Sequence, residues 1–159
     1  MPSKRMHSKQ IVHLYARQHW QVSYVNDAAR FFWSLSTIVP YGSILSFEGY
    51  EPARKFRLFL RAHAAEKPVE YLTDDRVWIE QVRFTSAFAE CFVSFQHDHF
   101  KSVKFEHLHG FSKTNQMLFW FHDAFTGGDL ALARTISASR LRRFCLKLGP
   151  QYFRKGPIC

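Results

Sequence analysis

Acidic residues are missing from both ends of this 159-residue chain: none precedes Asp27 and none follows Asp129. The first 26 residues carry Lys4, Arg5, Lys9 and Arg17, and the last thirty carry Arg134, Arg140, Arg142, Arg143, Lys147, Arg154 and Lys155. All 13 acids lie between, against eleven Lys and Arg, so two basic ends flank a nearly balanced body with a formal charge of +9 overall. That segregation points to an acidic partner, either an acidic protein surface or nucleic acid.

Long apolar runs are also absent. The longest, Met117 to Phe121, has strand length and falls far short of the ~20 residues of a transmembrane helix. The apolar stretch from Ile11 to Tyr15 is short and contains His13, unlike the core of a secretion signal. An acid-free, amphipathic start also fits an organellar transit peptide, but Ser is sparse and Arg does not dominate. Cysteine is scarce: Cys91, Cys145 and Cys159 have no short spacing, which excludes a disulfide framework and a cysteine zinc motif. Cys91 and Cys145 stand among apolar neighbours and read as small hydrophobes, and Cys159 reads as exposed. The expectation is a soluble, cytoplasmic protein.

Motifs of common enzymes and nucleic-acid modules are missing too. Gly127-Gly128 is not followed by Gly-Lys-Ser/Thr, no Gly-x-Ser-x-Gly elbow occurs, and no RRM, KH or zinc-finger pattern is present.

What the chain has in abundance is aromatic bulk, with 17 Phe, 6 Tyr and 4 Trp. One domain over residues 20–153 can bury roughly 70% of its unfolded surface. Residues 1–19 read as a basic arm and 154–159 as a short tail. Alternation of Trp20, Val22 and Tyr24 predicts a strand, and Asn26 is placed to cap a helix over 27–37 that Pro40 ends. Ile44, Leu45 and Phe47 suggest a second strand. Pro52 suits the first turn of a helix carrying Phe56, Phe59, Leu60 and His63 on one stripe. Residues 67–75 read as a loop, 76–83 as a strand, and 84–95 as a helix, with His97 and His99 in the loop that follows.

From 103 to 109 apolar and polar residues alternate, predicting a strand. The segment 116–121 is a central strand, Thr126 to Asp129 a tight hairpin, and 130–134 a third strand of a meander. Ser137 caps a final helix with Leu141, Phe144, Cys145 and Leu148 inward, stopped by Gly149-Pro150. The sum is an α+β domain: an antiparallel sheet, comprising this C-terminal three-strand meander and the earlier strands, covered by about four helices.

Two functional readings follow. The first is a non-catalytic binding domain whose basic helix faces, Arg54, Arg57 and Arg61 on one helix and Arg140, Arg143 and Lys147 on another, meet an acidic partner. The second is a histidine-dependent phosphodiesterase or nuclease centred on residues 107–129, with His107, His109, His122 and Asp123 as catalytic candidates. No cofactor is expected, except that a divalent metal could enter the second reading through His107, His109 and His122. His107 and His109 share a strand face about 6.6 Å apart. Register decides whether His122 joins them. Pairing His109 with Met117 turns residue 122 away, whereas pairing Phe111 with Gln116 turns it towards the face of His107.

Overall fold

The computed structural model describes residues 19–22, 25–71 and 73–149. The predicted arm and tail, Cys159 and the Tyr24 end of the first predicted strand lie outside the described residues, apart from His19 of the arm. The elements run β1 (His19–Val22), α1 (Ala28–Ser34), β2 (Ile44–Gly49), α2 (Arg54–Arg61), β3 (Trp78–Arg83), α3 (Ser86–His99), β4 (His107–Phe111), β5 (Met117–Phe121), β6 (Leu130–Ala133) and α4 (Ala138–Leu148). All six strands form one antiparallel sheet in the order β1-β6-β5-β4-β2-β3. The α+β class is therefore as the patterning indicates, with the meander β4-β5-β6 at its centre.

Several boundaries differ for local reasons. Asp27 rather than Asn26 caps α1, accepting a hydrogen bond from the Arg30 N–H, and a single 3₁₀ turn (Leu35–Thr37) completes the segment. Pro52 stands just outside α2, whose cap position is Ala53. Thr85 caps α3, which runs on to His99, so His97 and His99 occupy its last turn rather than a loop. β4 begins only at His107, because a 3₁₀ turn over Phe100–Ser102 precedes it. Cys91 is exposed on α3, contrary to its apolar-looking context, because it lies off the Phe88-Phe92-Phe95 stripe. Cys145 is buried as expected but is disulfide-bonded, which the expectation of packed free thiols did not include.

The helices cover one face of the sheet, and that face is aromatic. Alternation on β2 sends Leu45 and Phe47 into it, with Leu108 on β4, Phe119 and Phe121 on β5, and Leu130 and Leu132 on β6. Phe47 is the meeting point: its ring lies within 6.3 Å of Phe32 on α1, Phe56 on α2, and Phe88 and Phe92 on α3. Gly110 is required under this layer, since a Cβ there would stand 2.2 Å from the Phe119 ring.

The opposite face carries Ser46 and Glu48 from β2, His107 and His109 from β4, and Trp120 from β5. Residues 62–71 fold over part of it, fastened to the β3 edge by Ala65 N–H to Gln81 O, and by paired hydrogen bonds between the Gln81 side chain and the Val69 backbone.

Phe47→Ala removes the ring that three helices share. It should lower unfolding free energy by about 3 to 5 kcal/mol, measured by urea denaturation with the transition remaining cooperative.

Candidate functional site

Neither of the two anticipated registers is the one adopted. His109 pairs with Trp120 and Leu108 with Phe121, so the same pairing carried one residue further sets His122 opposite His107. Nearer the 112–116 turn Phe111 pairs with Met117, and Leu118 is the extra residue of a β-bulge. Extended unbroken, that turn-side register would set His122 opposite Glu106, facing away from His107. The bulge restores the parity that brings the two imidazoles together.

His122 opens an irregular turn instead of continuing β5 to a tight Gly-Gly hairpin. Asp123 and Phe125 have φ values of 46° and 65°, and Gly127 has 110°. The Asp123 carbonyl accepts from Thr126 N–H, Thr126 Oγ1 and Gly128 N–H. Ala124 N–H is held by Glu106 O at 2.8 Å. Gly128 passes so close beneath His122 that a Cβ would meet its carbonyl oxygen at 1.7 Å. The turn thus fixes the backbone carrying His122 and Asp123.

Three side chains converge there. The His107 and His122 rings stack with centroids 4.1 Å apart and planes inclined by 28°. Both turn Nδ1 towards Asp123: Asp123 N–H donates to His107 Nδ1 at 3.2 Å, and His122 Nδ1 lies 3.0 Å from Asp123 Oδ2. One potential ligand atom from each residue lies within 4.8 Å of the others. His107 is half-buried, whereas His122 and Asp123 are exposed. Trp120 packs edge-on against His122 at 5.3 Å.

A buried polar network backs this cluster. Glu48, directly across from His107 on β2, accepts a very short hydrogen bond from the Tyr71 hydroxyl and a 3.3 Å bond from Thr73 Oγ1. Tyr71 also shares a 2.6 Å hydrogen bond with Ser46, and its ring packs on His109. His109 Nδ1 lies 3.2 Å from Glu48 Oε1, with both side chains buried.

Burial alone would push the Glu48 carboxyl up. The hydrogen bond and charge of His109, then the Tyr71 hydroxyl and the charge of His107, outweigh it and hold the group at about 2. Burial, with the charge and hydrogen bond of Glu48, pushes Tyr71 up, so it stays a phenol that donates. Burial also lowers His107, helped by the neighbouring His122 and His109 against the opposing pull of Glu48 and Asp123. Glu48 is ionised and His107 neutral at pH 7.

Of the residues that pattern suggested, His107, His122 and Asp123 meet at one point. His109 shares their face but is buried against Glu48 and is not among the three. The arginines are distributed differently. Arg57 and Arg61 both bind Glu80 Oε1, at 3.1 and 2.8 Å, with Arg57 also over the Trp78 ring. Arg140 donates to Thr37 O at 2.9 Å. Arg54, Arg143 and Lys147 are exposed.

Glu48, Ser46, Tyr71 and Thr73 were not foreseen. Ser46 and Glu48 did leave a trace, since two polar residues alternate with Leu45 and Phe47 in an otherwise apolar strand. Tyr71 and Thr73 lie in a loop whose path no local pattern gives. Comparisons with family models, with curated proteins and with solved structures find no match to this chain.

The Glu48 carboxyl falls from an ordinary 4.5 to about 2 on folding, so the unfolded chain binds the extra proton between those values. Its stabilisation is therefore full above about pH 5 and lost as pH falls towards 2. Glu48→Gln should cost about 3 kcal/mol at pH 7 and flatten the acid limb of the stability profile in that window. Urea midpoints at neutral and acid pH read both effects.

Proposed function

We propose that the chain is a divalent-metal protein, with the ion held by His107, His122 and Asp123 and used for hydrolysis of a phosphodiester. The observation that carries this reading is the convergence of two imidazoles and a carboxylate, their ligand atoms within 4.8 Å of one another, where the end of β4 meets a turn that fixes the backbone of His122 and Asp123. Two nitrogens and one oxygen suit zinc or a similar ion, and three protein ligands leave a position for water. The exposure of His122 and Asp123 opens that position to solvent. Bound there, the ion would supply a hydroxide near neutral pH and polarise a phosphoryl oxygen.

The electrostatics agree. Imidazole must be neutral to bind a metal, and the half-buried His107 is lowered. The Asp123 carboxylate is a ligand beside the two imidazoles, and the ionised Glu48 behind His107 favours a cation at this point. Among the described residues, no Lys or Arg hydrogen-bonds or ion-pairs with His107, His122 or Asp123, so a metal-free site holding phosphate by cationic side chains fits less well. The Asp123 N–H to His107 Nδ1 bond is long, at 3.2 Å, and exposed, so exchanging it for a metal at that nitrogen costs little.

Titration with Co²⁺ or Zn²⁺ should show one strong site by visible absorption or calorimetry, lost in His107→Ala and His122→Ala and retained in the surface variant Arg54→Ala. Hydrolysis of an activated phosphodiester should appear with the metal, vanish with chelator, and follow the same variants. Failure to bind metal sinks the whole reading; stoichiometric binding without hydrolysis leaves the metal site and removes the reaction.

A second reading rests on the exposed Arg142, Arg143 and Lys147 of α4, which pair with no acid among the described residues. Here the chain binds an acidic protein or nucleic acid through this helix. Binding should weaken steeply with salt, and a triple Gln variant should reduce the salt dependence in filter binding or pull-down. Absent or salt-independent binding would remove this reading.

A further inference from the structure

A different part of the same sheet face holds an open cavity of about 430 Å³ lined by Lys67, Arg83, Lys113, Asn115 and Glu66, with Gly42 at its edge. It lies where β2 begins and β4 ends, since Ile44 pairs with both Arg83 and Phe111. Glu48 and His107 are four residues away along those strands, about 13 Å. The metal site is therefore separate.

Three cations face one acid in this cavity, and none of the three forms an ion pair among the described residues. Their walls are fastened by the backbone. Arg83 N–H donates to His63 O and Ala65 N–H to Gln81 O, which holds the Lys67 loop to the strand bearing Arg83. Across from it, the 112–116 turn is closed by Ser112 N–H to Gln116 O and by Ser112 Oγ, which accepts from Thr114 and Gln116 N–H. Asn115 completes the turn with φ 62°. Gly42 leaves room for the Lys113 stem, whose Cε would stand 2.5 Å from any added Cβ.

Like charges gathered on fixed walls repel one another until an anion joins them. A guanidinium offers a planar fork and two ammonium groups add point charges, a combination suited to phosphate oxygens. A cavity of this size lies in the range of small-molecule sites. We infer that it is an anion site for a small phosphate-bearing molecule, with Arg83, Lys67 and Lys113 as its cationic contacts. This assignment is independent of the metal site.

The test uses inorganic pyrophosphate as the probe, titrated by calorimetry at low salt with chelator present so that no metal contributes. One saturable site is expected, weakened about tenfold for each cation removed in Arg83→Gln, Lys113→Gln and the double variant. These residues are exposed, and thermal unfolding should confirm that the variants fold. His107→Ala should bind pyrophosphate as the parent does. Absence of binding, or binding that the double variant leaves unchanged, overturns the inference. Loss in His107→Ala would place the anion at the other site and overturn it as well. A single-stranded oligonucleotide that displaces pyrophosphate and binds more tightly would assign the cavity to nucleic acid and defeat the small-molecule assignment.

Discussion

Phe47 and Glu48 are neighbours in the chain and lie on opposite faces of one strand. Everything else described depends on that alternation. Phe47 gathers rings from three helices on one side. Glu48, on the other, is an ionised group enclosed by Tyr71, Thr73 and His109. A charge buried this deeply is tolerated only when hydrogen-bonded and opposed by other charge. The aromatic layer supplies the burial energy that keeps β2 in place, and so keeps Glu48 where its partners can reach it.

The polar face is graded from inside to outside. Tyr71 and Glu48 are locked by short hydrogen bonds, His109 packs against both, and His107, His122 and Asp123 lie progressively nearer solvent. A histidine half-embedded in such a gradient loses its proton more easily than one in water. This is how a site on an open sheet end keeps a neutral imidazole at ordinary pH without a deep cleft.

Much of the fold was legible because it rests on period. The stripes Phe56-Leu60 and Leu141-Phe144-Cys145-Leu148, the alternation in β2 and the apolar β5 each require a particular partner face. Helix α3 was read short at Phe95 because its last turn, with Gln96, His97 and Asp98, is polar and solvated. The candidate site was legible only as a set of residue types. His107, His122 and Asp123 could be named, yet whether they meet depends on a bulge that no propensity signals. Their backing by Tyr71 depends on a loop folding across the sheet. Arg57 and Arg61 looked like a free basic face because Glu80, their partner, arrives from a strand distant in sequence. Cys91 misled for a related reason: its neighbours are apolar, but its own azimuth on the helix points outward.

Leu118 gives one hairpin two registers, one governing the pairs beside the 112–116 turn and another governing the pairs that end at His122. Turn length and site geometry are thereby uncoupled. A residue gained or lost in the turn first disturbs Phe111 and Met117, and the strand already possesses a point at which such a slip can be absorbed. The far end of the hairpin is insulated from insertions at the near end, so the loop could diversify in length and composition while the histidine pair stays opposed.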